Sequence, residues 1–433
     1  MSIERIKSRI QYTPLSDDPN LKLRINKSLD IAQNLPIKIS ETYPKRSDDI
    51  FRKINAIIET NQPNPDLSFE STLKEKTYLN DMLVVMCSWG SDMSRISATK
   101  RALSRLLNMN PFPEIIFVEG STDGKSHFTY LRQYDHVNYS LLDLKDDCFR
   151  NLFLKEILWN YGVQQMLKVA PDISKICYLD SDIGFADMYA FQLIYDALDQ
   201  YDVISPSRGC YYIGDKPYTK KYGMLLSCGY CVAKNKQATG WPGFGIAMTT
   251  QFLTEHFNNE LPCASPGFAD CILWYILAGD KVVKSEQRLP YKKEMLEKYR
   301  IRDARIGYAD NVIMHFDHGT IVDRQYRVRW RLARRCFKKP FSEFVRLGTS
   351  ALMCWADTEE VRRYRYCFEN LLILNRKEIK LTEVADADEL YNWLMGISKH
   401  PPRKMGRNRF TINGNVMPMA NVSIPVPNKS SEI

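Results

Sequence analysis

Three short apolar runs constrain this chain more than any other feature. Leu83–Val84–Val85–Met86–Cys87–Ser88–Trp89, Glu114–Ile115–Ile116–Phe117–Val118 and Ile176–Cys177–Tyr178–Leu179 are too short for stable helices and rich in β-branched residues. Between them lie longer stretches with apolar residues at helical spacing. Ser94–Leu107 carries Ile96, Leu103 and Leu106–Leu107 as its stripe, and Phe149–Val169 is stopped by Pro171. Strands of buried type alternating with helices predict an α/β fold with a mostly parallel sheet flanked by helices. A helix over Met188–Leu198 and a strand over Asp202–Ser205 extend the pattern.

The third run ends in Asp180–Ser181–Asp182, before Ile183–Gly184–Phe185. In open α/β sheets ligands bind beyond the carboxyl ends of the strands. Two carboxylates there can share a hard divalent cation, which can in turn hold a diphosphate. Asp180 and Asp182 are therefore candidates to hold a metal-bound nucleotide sugar. The plain alternative is an acidic pair in a solvated turn. Asp386–Ala387–Asp388 has the same spacing in a polar, helix-like setting and is assigned no function.

Length and composition narrow the class. The 433 residues suffice for two or three domains, and 44% hydrophobic with 26% charged residues is ordinary for a globular protein. No stretch is apolar enough to span a bilayer, and the N-terminus lacks a signal-peptide core, so a cytoplasmic protein is expected. The net charge of +9 favours an anionic partner: nucleotide, nucleic acid or membrane surface. Eleven cysteines are scattered, several in apolar runs, and the lone Cys228–Gly229–Tyr230–Cys231 spacing reads as packing rather than a zinc site.

Residues 1–78 are polar and broken by prolines, with helical patterns around Leu21–Gln33 and Asp48–Glu59, and form an expected accessory region. Glu119–Gly120–Ser121–Thr122–Asp123–Gly124 is a glycine-punctuated polar loop. In Trp241–Pro242–Gly243–Phe244–Gly245, glycines allow close backbone approach to a ligand, and Trp241 or Phe244 could stack on a sugar; a tight turn with a core aromatic is the alternative. Asp270 opens a helix from Gly267, where an acidic residue also serves as a cap. Val312–Gly319 reads as a strand ending in His315 and His318. Residues 321–399 are expected to be a basic helical region, in which Arg327, Arg331, Arg334, Arg335 and Lys338 form a stripe beside Trp330, Ala333 and Phe337. The tail 400–433 reads as extended or disordered.

The order of these motifs over roughly 79–320 resembles the GT-A glycosyltransferases, which act on nucleotide-sugar donors with a Rossmann-like sheet. Val118–Gly124 is similar to that superfamily's nucleoside-contacting Val-Asp-Asp-Gly-Ser-Thr-Asp-Gly loop, with Glu119 at an acidic position. Trp159–Asn160–Tyr161–Gly162 looks like its Arg-Asn-x-Gly, with Trp159 in place of the Arg and Lys155 one turn earlier as a substitute. Asp180–Ser181–Asp182 matches its Asp-x-Asp motif, Gly243–Phe244–Gly245 its glycine-rich segment, and Ala269–Asp270–Cys271–Ile272–Leu273 its Glu-Asp-x-Asp-Leu helix start. His315–Phe316–Asp317–His318–Gly319, with Arg324, Tyr326 and Arg329, resembles a His-x-x-His-Gly…Arg-x-Tyr-x-x-Arg ending.

The resemblance implies donor contacts from Ser88, Trp89, Glu119, Asp123, Lys155, Asn160, Asp180, Ser181, Gly243, Phe244 and Gly245. It implies Mn²⁺ or Mg²⁺ on Asp180, Asp182 and His315 or His318, with Asp182, the last acidic residue of the motif, as the direct ligand of the two carboxylates. Asp270 becomes the base of an inverting transfer. For the acceptor, the positive charge and the Arg327–Lys338 stripe favour a hydroxymethylated base in duplex DNA, as in phage base-modifying glycosyltransferases. A polysaccharide or lipid-linked glycan at an anionic membrane surface is the rival. A GT-A fold that only binds is a third reading, motivated by the incomplete Glu-Asp-x-Asp.

Overall fold

A computed structural model describes residues 77–149, 152, 154–213, 224–236, 240–263, 269–279, 297–299, 301, 303–316, 332–333, 335–337, 343–347, 352–376, 387–398, 410–412 and 415–417. The expected accessory region to residue 76, His318, Arg327, Arg331, Arg334, Lys338 and nearly all of the tail lie outside the described residues.

The expected α/β sheet forms. Strand β1 (Tyr78–Trp89) leads to helix α1 (Met93–Leu106), β2 (Phe112–Ser121), β3 (Val137–Asp143), α2 (Lys155–Val169) and β4 (Lys175–Leu179). After Asp180–Asp182 come β5 (Ile183–Phe185), α3 (Ala190–Leu198), β6 (Val203–Ser205), β7 (Gly209–Ile213), β8 (Leu225–Leu226) and α4 (Cys228–Ala233). Then follow β9 (Ile246–Thr249), α5 (Thr250–Phe257), α6 (Ala269–Ala278), β10 (Ile306–Tyr308) and β11 (Val312–Phe316). Seven strands form one sheet in the order β10-β6-β9-β4-β1-β2-β3, and β5-β11-β7-β8 form a second.

β1 explains why its sequence reads as unbroken apolar. Leu83, Val85 and Cys87 enter the core on one face of the sheet, Met82, Val84 and Met86 the core on the other, and all six are buried. Alternate side chains point to opposite faces, so a strand covered on both sides needs apolar residues throughout. Each large side chain so buried stabilises the fold by about 1.5–3 kcal/mol.

Helix α1 is begun by Asp92, whose carboxylate accepts from the N–H groups of Ser94 (2.8 Å) and Arg95 (3.3 Å). Helix α2 lies on the strands at Gly162: a Cβ there would come within 3.2 Å of Ile116 and Val118 and 3.3 Å of Val85. That close approach accounts for the Asn-Tyr-Gly signature without invoking a ligand.

Several expectations needed correction. Helix α2 starts at Lys155, not Phe149, which closes a separate 3₁₀ turn (Asp147–Phe149). Glu119 to Ser121 belong to β2 rather than to a loop, held by pairing with β1 and β3. Strand β3 and, above all, β9 were not foreseen. β9 runs antiparallel to both β4 and β6, so the sheet is mixed at its centre. The two cysteines of Cys228–Cys231 are buried free thiols, consistent with packing.

The C-terminal part contributes to the same core. Two antiparallel strands, β12 (Val345–Leu347) and β13 (Met353–Trp355), precede helices α7 (Glu359–Arg376) and α8 (Ala387–Leu394). Phe337, Phe344, Trp355, Tyr364, Leu390 and Trp393 join the cluster that contains Leu83, Trp159 and Trp274. Arg335 pairs with Asp388 and lies 4.9 Å from the ring centre of Tyr391. Asp388, one of the second Asp-x-Asp pair, thus has a structural partner.

Candidate functional site

Strands β1 and β4 are parallel neighbours, and the chain moves outward from them in opposite directions, to β2–β3 on one side and β9–β6–β10 on the other. Their carboxyl ends therefore flank the switch point where α/β sheets bind ligands. Ser88 and Trp89 end β1, and Asp180 follows β4.

Asp180 is held from two sides. One carboxylate oxygen, Oδ1, lies 3.0 Å from Lys155 Nζ at the start of α2, and Oδ2 accepts the Phe244 N–H at 3.1 Å. The same ammonium lies 3.9 Å from Asp270 Oδ2 and 3.7 Å from Glu156 Oε1. One half-buried cation thus faces three carboxylates, from the end of β4, α2 and α6. Burial disfavours the Lys155 charge, but Asp180, Asp270 and Glu156 outweigh it and hold the ammonium protonated well above the ordinary lysine range. The indole of Trp159 lies 4.9 Å from Lys155 Nζ, ring centre to nitrogen.

The Trp241–Gly245 segment crosses between these groups. Phe244 has a positive φ of 82°, a strained conformation for an aromatic residue, and that turn delivers its N–H to Asp180. Gly245 has φ 107°, and a Cβ there would stand 2.3 Å from the Tyr178 carbonyl oxygen. Gly245→Ala is therefore expected to lower stability by about 3 kcal/mol, read as a lower melting temperature; an unchanged melt would show that the segment can move without cost. Gly243 faces Asp270: a Cβ there would lie 3.7 Å from Oδ2. Phe244 is buried, whereas Trp241 is 37% exposed, so of the two aromatics Trp241 offers a free face.

Asp182 lies on the other side of the turn. Its carboxylate oxygen Oδ2 is 3.4 Å from His315 Nε2, and its backbone carbonyl accepts the Phe316 N–H at 2.8 Å. The β5–β11 pairing sets this contact by placing His315 opposite Ile183. Tyr212, its neighbour on β7, stacks near the imidazole with ring centres 4.4 Å apart. Among the described residues no group of three or more metal-capable side chains converges. The donor set Asp182–His315 nevertheless suits an ion such as Mg²⁺ or Mn²⁺, which takes one or two protein ligands and fills its shell with phosphate oxygens and water. Ligands about 2.1 Å from such an ion sit about 3 Å apart on adjacent corners, close to the spacing here.

Other candidates have different work. The Glu119 carboxylate accepts from Ser126 Oγ (2.9 Å), Tyr139 Oη (2.5 Å) and the His127 N–H (2.7 Å), so it fastens the loop after β2. Burial and Glu119 push the Tyr139 phenol up to about 12. Asp123 is exposed and accepts the Lys125 N–H (3.0 Å), closing a turn. Asn160 donates to the Leu261 carbonyl (2.9 Å) and accepts the Leu261 N–H (2.8 Å), which pins that strand-like segment against α2. Ser88 is buried, Ser181 is half-buried, and Trp89 lies under the Arg95 guanidinium at 5.1 Å.

Sequence reasoning missed Glu156. Lys155, Glu156 and Trp159 line one cleft with Pro242, Gly245, Leu261, Pro262, Asp270 and Trp274, about 320 Å³ including its open mouth. Burial raises the Glu156 carboxyl, Lys155 opposes the shift and Asp270 and Asp180 add to it, leaving it at about 7. Because the folded value lies above the unfolded one, near 4.3, the folded state binds the extra proton and its contribution is lost as pH rises from about 4.5 to about 7. Glu156→Gln should thus gain in melting temperature relative to the parent between pH 5 and pH 8; equal gaps at both pH values would contradict a raised carboxyl.

No family model matches the sequence, and no curated protein does. Solved structures give distant likenesses. S. aureus TarS 1-349 in complex with UDP is 12% identical with a TM-score of 0.33, covering 67% of this chain and 70% of that one. The same protein in complex with UDP-GlcNAc gives 12% identity and a TM-score of 0.34, with 67% and 71% covered. A 4-diphosphocytidyl-2C-methyl-D-erythritol synthase from Anaerococcus prevotii is 14% identical with a TM-score of 0.27, covering 55% of this chain and 89% of that one. The reading of the site therefore rests on its own residues.

Proposed function

We propose that this chain is a glycosyltransferase that moves a sugar from a nucleotide-sugar donor, a UDP-sugar first among them, to an acceptor hydroxyl. One observation carries the reading: a single ammonium, Lys155, ties the carboxylate after β4 to the carboxylate opening α6, and that ammonium lines one cleft with the second of them, Asp270. Mn²⁺ or Mg²⁺, held by Asp182 and His315, would supply positive charge against a leaving diphosphate. Lys155 adds a fixed positive charge beside Asp180. Asp180, committed to Lys155 and the Phe244 N–H, orients those two groups. Oδ1 of Asp270 accepts the Cys271 N–H at 2.7 Å, which leaves Oδ2 to take the proton from an attacking hydroxyl. A single base on the acceptor side implies one displacement and inversion at the anomeric carbon.

The acceptor we propose is a hydroxymethylated base in duplex DNA, supported by the net charge of +9 and by the basic run from Arg327. Arg335 adds nothing to that support, because Asp388 and Tyr391 occupy it. The test supplies the full chain with Mn²⁺ and a panel of nucleotide sugars, and measures released nucleoside diphosphate with and without hydroxymethylated duplex DNA. Release that requires both donor and DNA is the expected result. Release independent of DNA, with no binding to duplex at low salt, overturns the acceptor and favours a glycan. Donor binding without any release leaves the chain a binding protein.

A further inference from the structure

Among the described residues, two buried polar atoms with no hydrogen-bond partner lie on one face of α2: Glu156 Oε1 and Trp159 Nε1. Residues three apart on a helix are surface neighbours, and both side chains line the cleft that holds Lys155 and Asp270. Glu156 is 6% exposed and Trp159 3%. Lys155 Nζ is 3.7 Å from Glu156 Oε1, near enough for charge but not for a hydrogen bond. Leaving a buried donor or acceptor unmade is costly, so two such atoms on residues lining one cleft point to a group that completes them.

The chemistry of that group is specific. An indole N–H only donates, and a carboxylate oxygen accepts, so the partner must accept from one and donate to the other. A hydroxyl does both. The cleft is narrow, with closely bounded space for about one water at most, which admits a hydroxyl but not a ring. Lys155 and Asp270 line the same cleft, so a sugar presented to Asp270 would carry its hydroxyls past Glu156 and Trp159. We propose that Glu156 and Trp159 form a binding subsite for one hydroxyl of the transferred sugar, and so select the donor. This inference rests on the donor reading above and assigns it a specificity-determining pair. A Glu156 carboxyl at about 7 is part-protonated at neutral pH and can also serve as donor.

Calorimetry on the full chain with Mn²⁺ tests it, using UDP, UDP-glucose, UDP-galactose and UDP-N-acetylglucosamine, then the monodeoxy forms of whichever sugar binds most tightly. One deoxy form is expected to bind about 10- to 100-fold more weakly than its parent. In Trp159→Phe, which keeps a flat apolar ring, that ratio should fall toward one while affinity for UDP itself is kept. If the Phe variant loses UDP binding as well, Glu156→Ala, which removes the accepting oxygen, carries the same comparison and should shrink the ratio. Deoxy forms that all bind like the parent, UDP-sugars no tighter than UDP, or a ratio unchanged in these variants overturn the subsite and leave water as its occupant. Failure of the parent protein to bind UDP at all would instead overturn the donor reading.

Discussion

Asp182→Asn is expected to lower nucleoside diphosphate release by about 10³-fold, with the melting temperature unchanged. The asparagine keeps the backbone carbonyl that accepts the Phe316 N–H, so the β5–β11 junction survives the change. What it loses is the carboxylate charge 3.4 Å from His315 Nε2, and with it the stronger of the two proposed metal ligands. Affinity for Mn²⁺, followed by calorimetry in the absence of any donor, should fall in parallel. Near-normal turnover with Mn²⁺ would show that the Asp182–His315 pair is not the metal platform.

The second large effect is expected at the carboxylate that opens α6. Asp270→Asn should reduce kcat by about 10²- to 10⁴-fold while leaving the donor dissociation constant within a few-fold. Asparagine can still cap the first turn of α6 through its amide oxygen, as Asp270 Oδ1 does for the Cys271 N–H. It cannot take a proton from the acceptor. Lys155 retains Asp180 at 3.0 Å and Glu156 at 3.7 Å, so the ammonium stays in place. A loss confined to donor affinity would assign Asp270 to binding. A kcat within threefold of the parent would remove it from the chemistry.

The strands were legible where burial on both faces made them continuously apolar. β1 and β4 could be read directly, and so could the carboxylates that follow β4, because a strand end is a sequence-local event. β9 was hidden for a physical reason: its four residues follow a segment of Trp, Pro and Gly, and a short strand set antiparallel inside a parallel sheet has no local signature. The start of α2 was misplaced because Phe149, Leu152 and Leu154 are core residues at helix-like spacing without being helical. Glu119 and Asn160 matched motif positions, yet their hydrogen bonds run to Tyr139, Ser126, His127 and Leu261. A motif names a residue type at a spacing, and it does not reveal which neighbour consumes that residue's hydrogen-bonding capacity.

By itself the sequence determined the α/β class, the strand that ends in Asp180–Ser181–Asp182, and the order in which Gly243–Gly245, Asp270 and His315 follow. Those depend on local periodicity and on residue identity, which the chain carries along its length. Only the tertiary structure decided that Lys155 stands between Asp180 and Asp270, that His315 faces Asp182, and that Glu156 and Trp159 share a cleft with the proposed base. These contacts join residues as far as 133 positions apart, as His315 and Asp182 are. They are set by strand order and by how closely a helix lies on the sheet, and neither is written in any short stretch of sequence.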